Sequence, residues 1–159
     1  MIHCKSLANR LREVVLDGTW IANTNYKVQL ESLDWQVASR AVKSLNSIAL
    51  LAQHAHYYIK GMKNTIEQKT LSMSDAQSFS FSEILSQPDW KSFLDMFWKD
   101  TEQLACIIES MSDSDLNQPF IDEKYGSFAR NFDGLIEHCY YHLGQIVLIK
   151  KMILTSNKT

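Results

Sequence analysis

Residues 128 to 153 constrain the fold most. Phe128, Phe132, Leu135, Cys139, His142, Ile146, Ile149 and Ile153 follow one another at alternating steps of four and three. That spacing places them on one stripe of an α-helix, the stripe a helical domain turns toward its core. No proline falls after Pro119, so nothing breaks the pattern. Ser127 stands where an N-cap belongs, and the helix is expected to run to about Leu154. The polar tail Thr155 to Thr159 is expected to fray.

Three further segments carry the same period. Ile2, Leu7, Leu11, Val14 and Val15 form a loose apolar face over residues 2 to 16, and Asp17-Gly18 ends it. From Asn46 to Gln68 the stripe is Leu45, Ile48, Ala52, Ala55, Ile59, Met62 and Ile66. From Pro88 to Met111 it is Trp90, Phe93, Leu94, Phe97, Thr101, Leu104, Ile108 and Met111, widened by Cys106 and Ile107. Pro88 suits the first turn of that helix. Residues 18 to 32 read as irregular, with Asn23-Thr24-Asn25 as turn chemistry, and Asp34 to Ala41 as a short helix. No pair of strands is visible. The expected fold is all-α, a single four-helix bundle domain spanning residues 1–159. The Ser-rich stretch 69 to 87, about 20 residues long, is too long for a simple turn and predicts a crossover or a lid.

The chemistry concentrates in two of these helices. His138 and His142 are one turn apart on one face, so both imidazoles can reach one metal ion. Cys139 follows His138, so the glutamate base of a His-Glu-x-x-His metalloprotease helix is missing. Cys139 itself points into the apolar stripe and reads as a small buried hydrophobe. Glu137 and Gln145 are expected to be solvated, although either could orient an imidazole. A two-histidine half-site needs a third ligand from another helix. His54 and His56 are the candidates, on opposite flanks of the second long stripe. Periodicity does not choose between them. Tyr58, one turn after His54, could shield it from water. His3 reads as a solvated terminal residue.

Composition narrows the function classes. A net charge of −2 with no basic run argues against nucleic-acid binding. No apolar run approaches the roughly 18 to 20 residues of a membrane span, and the N-terminus lacks the apolar core of a signal peptide. Cys4, Cys106 and Cys139 are an odd set without CxxC spacing, which suggests a reducing, cytoplasmic setting.

The string His138-x-x-x-His142-x-Gly144-Gln145-Ile146 and the segment from Ile48 to Tyr58, with its apolar run, His54 and paired Tyr57-Tyr58, resemble the DinB-like superfamily. The resemblance covers nearly the whole chain. It implies a four-helix bundle, often a homodimer, with three histidines binding a divalent ion such as nickel, zinc or iron. It favours His54, His138 and His142 as the ligands, since His54 precedes Tyr57-Tyr58 at the family spacing, and it puts His56 at a non-ligand position, expected on the surface. Some relatives are S-transferases that use low-molecular-weight thiols. The resemblance therefore implies a metal-dependent transferase or hydrolase acting on a thiol or other small molecule. The alternative is a non-catalytic, stress-linked metal-binding or dimeric interaction protein. Trp20, Trp35, Trp90 and Trp98 add apolar surface that one small bundle would struggle to bury, which is consistent with a homodimer.

Overall fold

The computed structural model describes residues 3–71 and 73–156. Ile2, Ser72 and residues 157–159, to which the expectations above extended, lie outside them. Within the described residues the chain is mostly helical, with two isolated bridges and no strand. The long helices are α1 (Cys4–Arg12), which widens into a π-helical turn over Glu13–Asp17, α4 (Ile48–Gln68), α5 (Gln87–Ser110) and α6 (Phe128–Ser156). Two short helices, α2 (Tyr26–Leu30) and α3 (Trp35–Ser39), lie between α1 and α4.

The capping chemistry sets these boundaries. Ser47 accepts from Leu50 N–H at the start of α4, and Ser86 accepts from Asp89 N–H at the start of α5, with Pro88 in the first turn. Ser127 Oγ accepts from Arg130 N–H at the start of α6. Gly18 ends the π turn because there is no room for a side chain. A Cβ there would sit 2.6 Å from Glu13 Cα.

The α2 helix falls inside the stretch expected to be irregular. Its N-cap is Asn25, whose side chain accepts from Val28 N–H and donates to Gly18 O. Its anchor is Tyr26, fully buried, with its hydroxyl donating to Cys139 O at 2.9 Å. A helix this short has little stability of its own and forms because α6 offers that partner.

Side-chain pairs fix the helix directions. Arg10 meets Asp133 and Glu13 meets Tyr140, so α1 and α6 run the same way. His56 meets Asp100 at 2.7 Å and Lys63 meets Gln103 at 2.9 Å, so α4 and α5 also run the same way. Leu51 shares a groove with Ile149 and Met62 shares a cavity wall with Leu135, so α4 and α6 are antiparallel. Both α1 and α4 pack on α5 and on α6.

The parallel α4–α5 pair explains the long connection. The 21 residues of α4 span about 30 Å, and the chain must return that distance before α5 can start. It returns along α4 itself. Met73 lies over Gly61, where a Cβ would come within 2.3 Å of its side chain, and Ser82 O accepts from Gln53 Nε2. The crossover therefore passes directly over His54.

Most positions of the predicted stripes form the core, whereas Cys106, expected to widen the face of α5, is exposed beside Arg12 and Glu102. Phe132, Leu135, Cys139, His142, Ile146, Ile149 and Ile153 are all buried, as are Ile48, Ala52, Ala55, Ile59 and Met62. Leu45 precedes α4 and is exposed. Each large aliphatic or aromatic side chain so buried contributes about 1.5–3 kcal/mol. Of the tryptophans, Trp90 is fully buried, Trp35 and Trp98 are half-buried, and Trp20 alone stands on the surface, 86% exposed.

Candidate metal centre

Helix α4 is packed on two sides, and its two histidines divide accordingly. His54 faces α6 and His56 faces α5. The expectation of a surface His56 is corrected: it is buried, its ring packs against both Phe93 and Phe97, and its Nε2 is 2.7 Å from Asp100 Oδ2. Flanks two residues apart diverge by about 200°. On a helix sandwiched between two others, both directions lead inward. Burial lowers the His56 pKa despite the pull of Asp100, so its neutral ring donates Nε2–H to that carboxylate. Burial opposes the charge on Asp100, but hydrogen bonds from Lys63 and His56 outweigh it and hold the carboxyl below its usual range.

On the other flank, His54, His138 and His142 come together. His54 Nε2 lies 3.1 Å from His138 Nε2, and His142 Nε2 lies 2.9 Å from the same atom. The ligand-capable atoms of all three rings are within 4.8 Å of one another. His54 and His142 are buried and His138 is half-buried.

Two of the rings are held in one tautomer. His54 Nδ1–H donates to Ser78 O at 2.7 Å, and a carbonyl can only accept. His142 Nδ1–H donates to Gln145 Oε1 at 2.7 Å. When these rings are neutral, their lone pairs are therefore on Nε2 and point at His138. A single proton on His138 Nε2 can make one well-aligned bond, not two. A cation at the centre would satisfy all three lone pairs at once. Ligands at right angles about 2.1 Å from an ion are about 3.0 Å apart, and tetrahedral ones about 3.4 Å. The two shortest spacings suit the first arrangement as they stand and the second after a shift of a few tenths of an ångström.

The electrostatics keep the site ready for a cation. Burial, reinforced by the other two imidazoles, pushes His138 down to about 4. Burial also lowers His142, against the opposing effect of its bond to Gln145. Neutral imidazole is the ligating form, so protons compete weakly with a metal at neutral pH.

The shell around the trio comes from both helices and the crossover. Phe79 stacks on His54 at 3.9 Å between ring centroids, while Tyr58 meets His54 and His138 edge-on at 5.1 and 4.9 Å. On the remaining side His138 opens onto a cavity of about 670 Å³, lined by Met62, Leu71, Met73, Phe120 and Leu135 among apolar groups, with Arg130 and Asp75 as charged ones.

Neither a family model, nor a curated protein, nor a solved structure matches the chain.

The other residues singled out in the sequence fall away from the histidine trio. Cys139 is fully buried, its thiol pushed up to about 12 by that burial, so it supplies no thiolate. Glu137 is exposed and pairs with Arg130. Tyr140 donates to Glu13, Tyr141 is exposed beside His142, and His3 is exposed beside Asp113. Gln145, expected in solvent, instead orients His142. Its position three residues after His142, on the same helical face, was the available signal. Ser78 and Phe79 carried no such signal, because only the path of the crossover brings them to His54. Among the described residues no helix is long and apolar enough to cross a membrane.

Proposed function

We propose that this protein binds one divalent metal ion through Nε2 of His54, His138 and His142, in a DinB-like four-helix bundle, and that the ion serves a metal-dependent transferase or hydrolase reaction. One observation carries this reading: three imidazole lone pairs converge from two helices, with no fourth histidine, cysteine or carboxylate in the cluster among the described residues. Structural metal sites are closed by four protein ligands, whereas catalytic ones keep a position open. Here the open side faces a cavity within the range of small-molecule sites, about 300–1,000 Å³.

The bound ion would act as a Lewis acid toward a group entering from that cavity. The chain's own residues do the rest. Ser78 O and Gln145 Oε1 hold two rings in the ligating tautomer. Phe79 and Tyr58 shield the imidazoles from water, and the apolar cavity wall receives the body of a substrate. Zinc, nickel and iron all accept imidazole, so the ligand set leaves the metal open.

The enzyme reading is tested by assaying metal-loaded and metal-free protein with low-molecular-weight thiols against a broad panel of electrophilic acceptors and hydrolysable esters and amides. Turnover that requires the metal and is lost in His138→Ala is expected. A panel without metal-dependent turnover would leave a metal-binding protein and remove the enzyme. We also propose a homodimer, for which Tyr141, Leu148 and Leu154, all exposed on α6, supply apolar surface. Sedimentation at micromolar concentration giving only the 18.3 kDa species would contradict it.

A further inference from the structure

We propose that Asp75 is the proton acceptor for a protic nucleophile, an O–H or S–H group, entering the open side of the histidine trio. The inference rests on the metal reading above and adds a residue to it.

Asp75 is the one carboxylate lining the cavity that His138 opens onto. It belongs to the crossover, yet its position relative to the ligands is fixed twice. Tyr58 O–H donates to Asp75 Oδ1 at 2.6 Å, and the Tyr58 ring packs edge-on against both His54 and His138. Three residues on, Ser78 O accepts from His54 Nδ1–H. Ser78 is tied back to Asp75, since its backbone N–H and its hydroxyl both donate to Asp75 O. His54 and Tyr58 are one turn apart on α4, so a single helical face holds both ends of the Asp75–Ser78 turn. Tyr57 O–H, donating to Ser74 O, adds a third tie.

Asp75 Oδ2 takes no hydrogen bond from the described residues. The carboxylate is therefore exposed, anchored through one oxygen and free through the other, on the side where the trio is open. No other acidic side chain lines this cavity.

The step is a proton transfer. The O–H or S–H bond of the entering group breaks, its proton passes to Asp75 Oδ2, and the electron pair stays on oxygen or sulfur, where an ion held by the three imidazoles would stabilise it. The carboxylic acid so formed returns its proton to solvent or to a leaving group.

The test uses cobalt-loaded wild type and Asp75→Asn, which keeps the Oδ1 acceptor for Tyr58 and so preserves the turn. Cobalt affinity, azide binding, and binding of two neutral protic probes, 2-mercaptoethanol for S–H and acetohydroxamic acid for O–H, are followed by absorbance at pH 7. Cobalt affinity should stay within roughly threefold, because Asp75 is not a ligand. Azide, an aprotic anion, should bind about threefold or more tighter once the negative charge is gone. At least one protic probe should bind about tenfold or more slowly, and which one responds tells sulfur from oxygen chemistry. Opposite responses of azide and the protic probes are not expected from a disturbed turn. Unchanged binding of all three, or weakening of all three together, overturns the proposal. A tenfold loss of cobalt affinity overturns it too, by making Asp75 a ligand. If wild type binds no cobalt, it is the metal reading that fails. Tyr58→Phe, which frees the carboxylate but keeps its charge, should slow the same protic probe without tightening azide.

Discussion

The two histidines on α4 give the sharpest mutational contrast in the molecule. They are two residues apart, both buried, and chemically identical, yet they face different helices. His54→Ala removes one of three converging Nε2 atoms. Loss of a partner that only orients a metal ligand costs about 10–100-fold in affinity, so loss of a ligand should cost 10-fold or more. The same change should disturb folding little, because His54 bonds a single loop carbonyl and stacks on the half-exposed Phe79. His56→Ala should do the reverse. It removes a buried hydrogen bond to a charged group, worth about 1.5–3 kcal/mol, and leaves a gap beside Phe93 and Phe97. At about 2–4 °C per kcal/mol for a chain of this size, Tm should fall by about 3–12 °C. Its zinc affinity should stay within roughly threefold, since Asp100 keeps Lys63 as a partner and α4 keeps its packing on α6. Zinc titration at pH 7.5 against a chromophoric competitor, paired with thermal melts of the metal-free proteins, reads both quantities. If His56→Ala loses the metal while His54→Ala keeps it, the assignment of the two flanks is wrong.

Three further expectations follow from single contacts. Gln145→Leu, which removes the acceptor for His142 Nδ1–H, should lower zinc affinity by about 10-fold or more in the same titration. Metal-free protein should lose stability on acidification. His138 sits near 4 when folded against about 6.5 when unfolded, so the unfolded chain binds more protons between those values, and stability falls as pH drops through that window. At about 1.4 kcal/mol per unit, discounted for the partial exposure of His138, the loss is about 1–2 kcal/mol. Urea midpoints at pH 7 and pH 4.5 should therefore differ less in His138→Ala than in wild type, and an equal difference would count against the shift. Gly18→Ala should destabilise by about 1–3 kcal/mol, because its Cβ meets the Glu13 backbone, and an unchanged melting curve would show that the turn can open.

Sequence periodicity carried the helices and placed His138 beside His142, because each stripe is a local property of its own segment, whereas the preference for His54 over His56 came from the family resemblance alone. The stripe through Phe132, Cys139, His142 and Ile146 is buried where the three-and-four spacing put it. What escaped were features that exist only between segments. His56 looks solvent-facing on a helix with one buried side, and α4 has two. Tyr26 starts a helix because Cys139 O is there to receive its hydroxyl. The apolar residues of the crossover, Phe79 among them, show that it packs back on the body but not where, so nothing in its composition marked Asp75, Ser78 and Phe79 as neighbours of the histidines. Its length did carry the essential point, a return along the helix it leaves, since a parallel α4–α5 pair requires it.

The central claim is that the three imidazoles hold an ion. The most direct measurement is elemental analysis of the protein purified without a metal-affinity tag, followed by titration of the chelator-stripped protein with zinc, nickel, cobalt and ferrous iron. Close to one divalent ion per chain is expected, lost when His54, His138 and His142 are replaced together by alanine. A wild-type protein that carries no ion and takes up none of the four at micromolar concentration would contradict the claim.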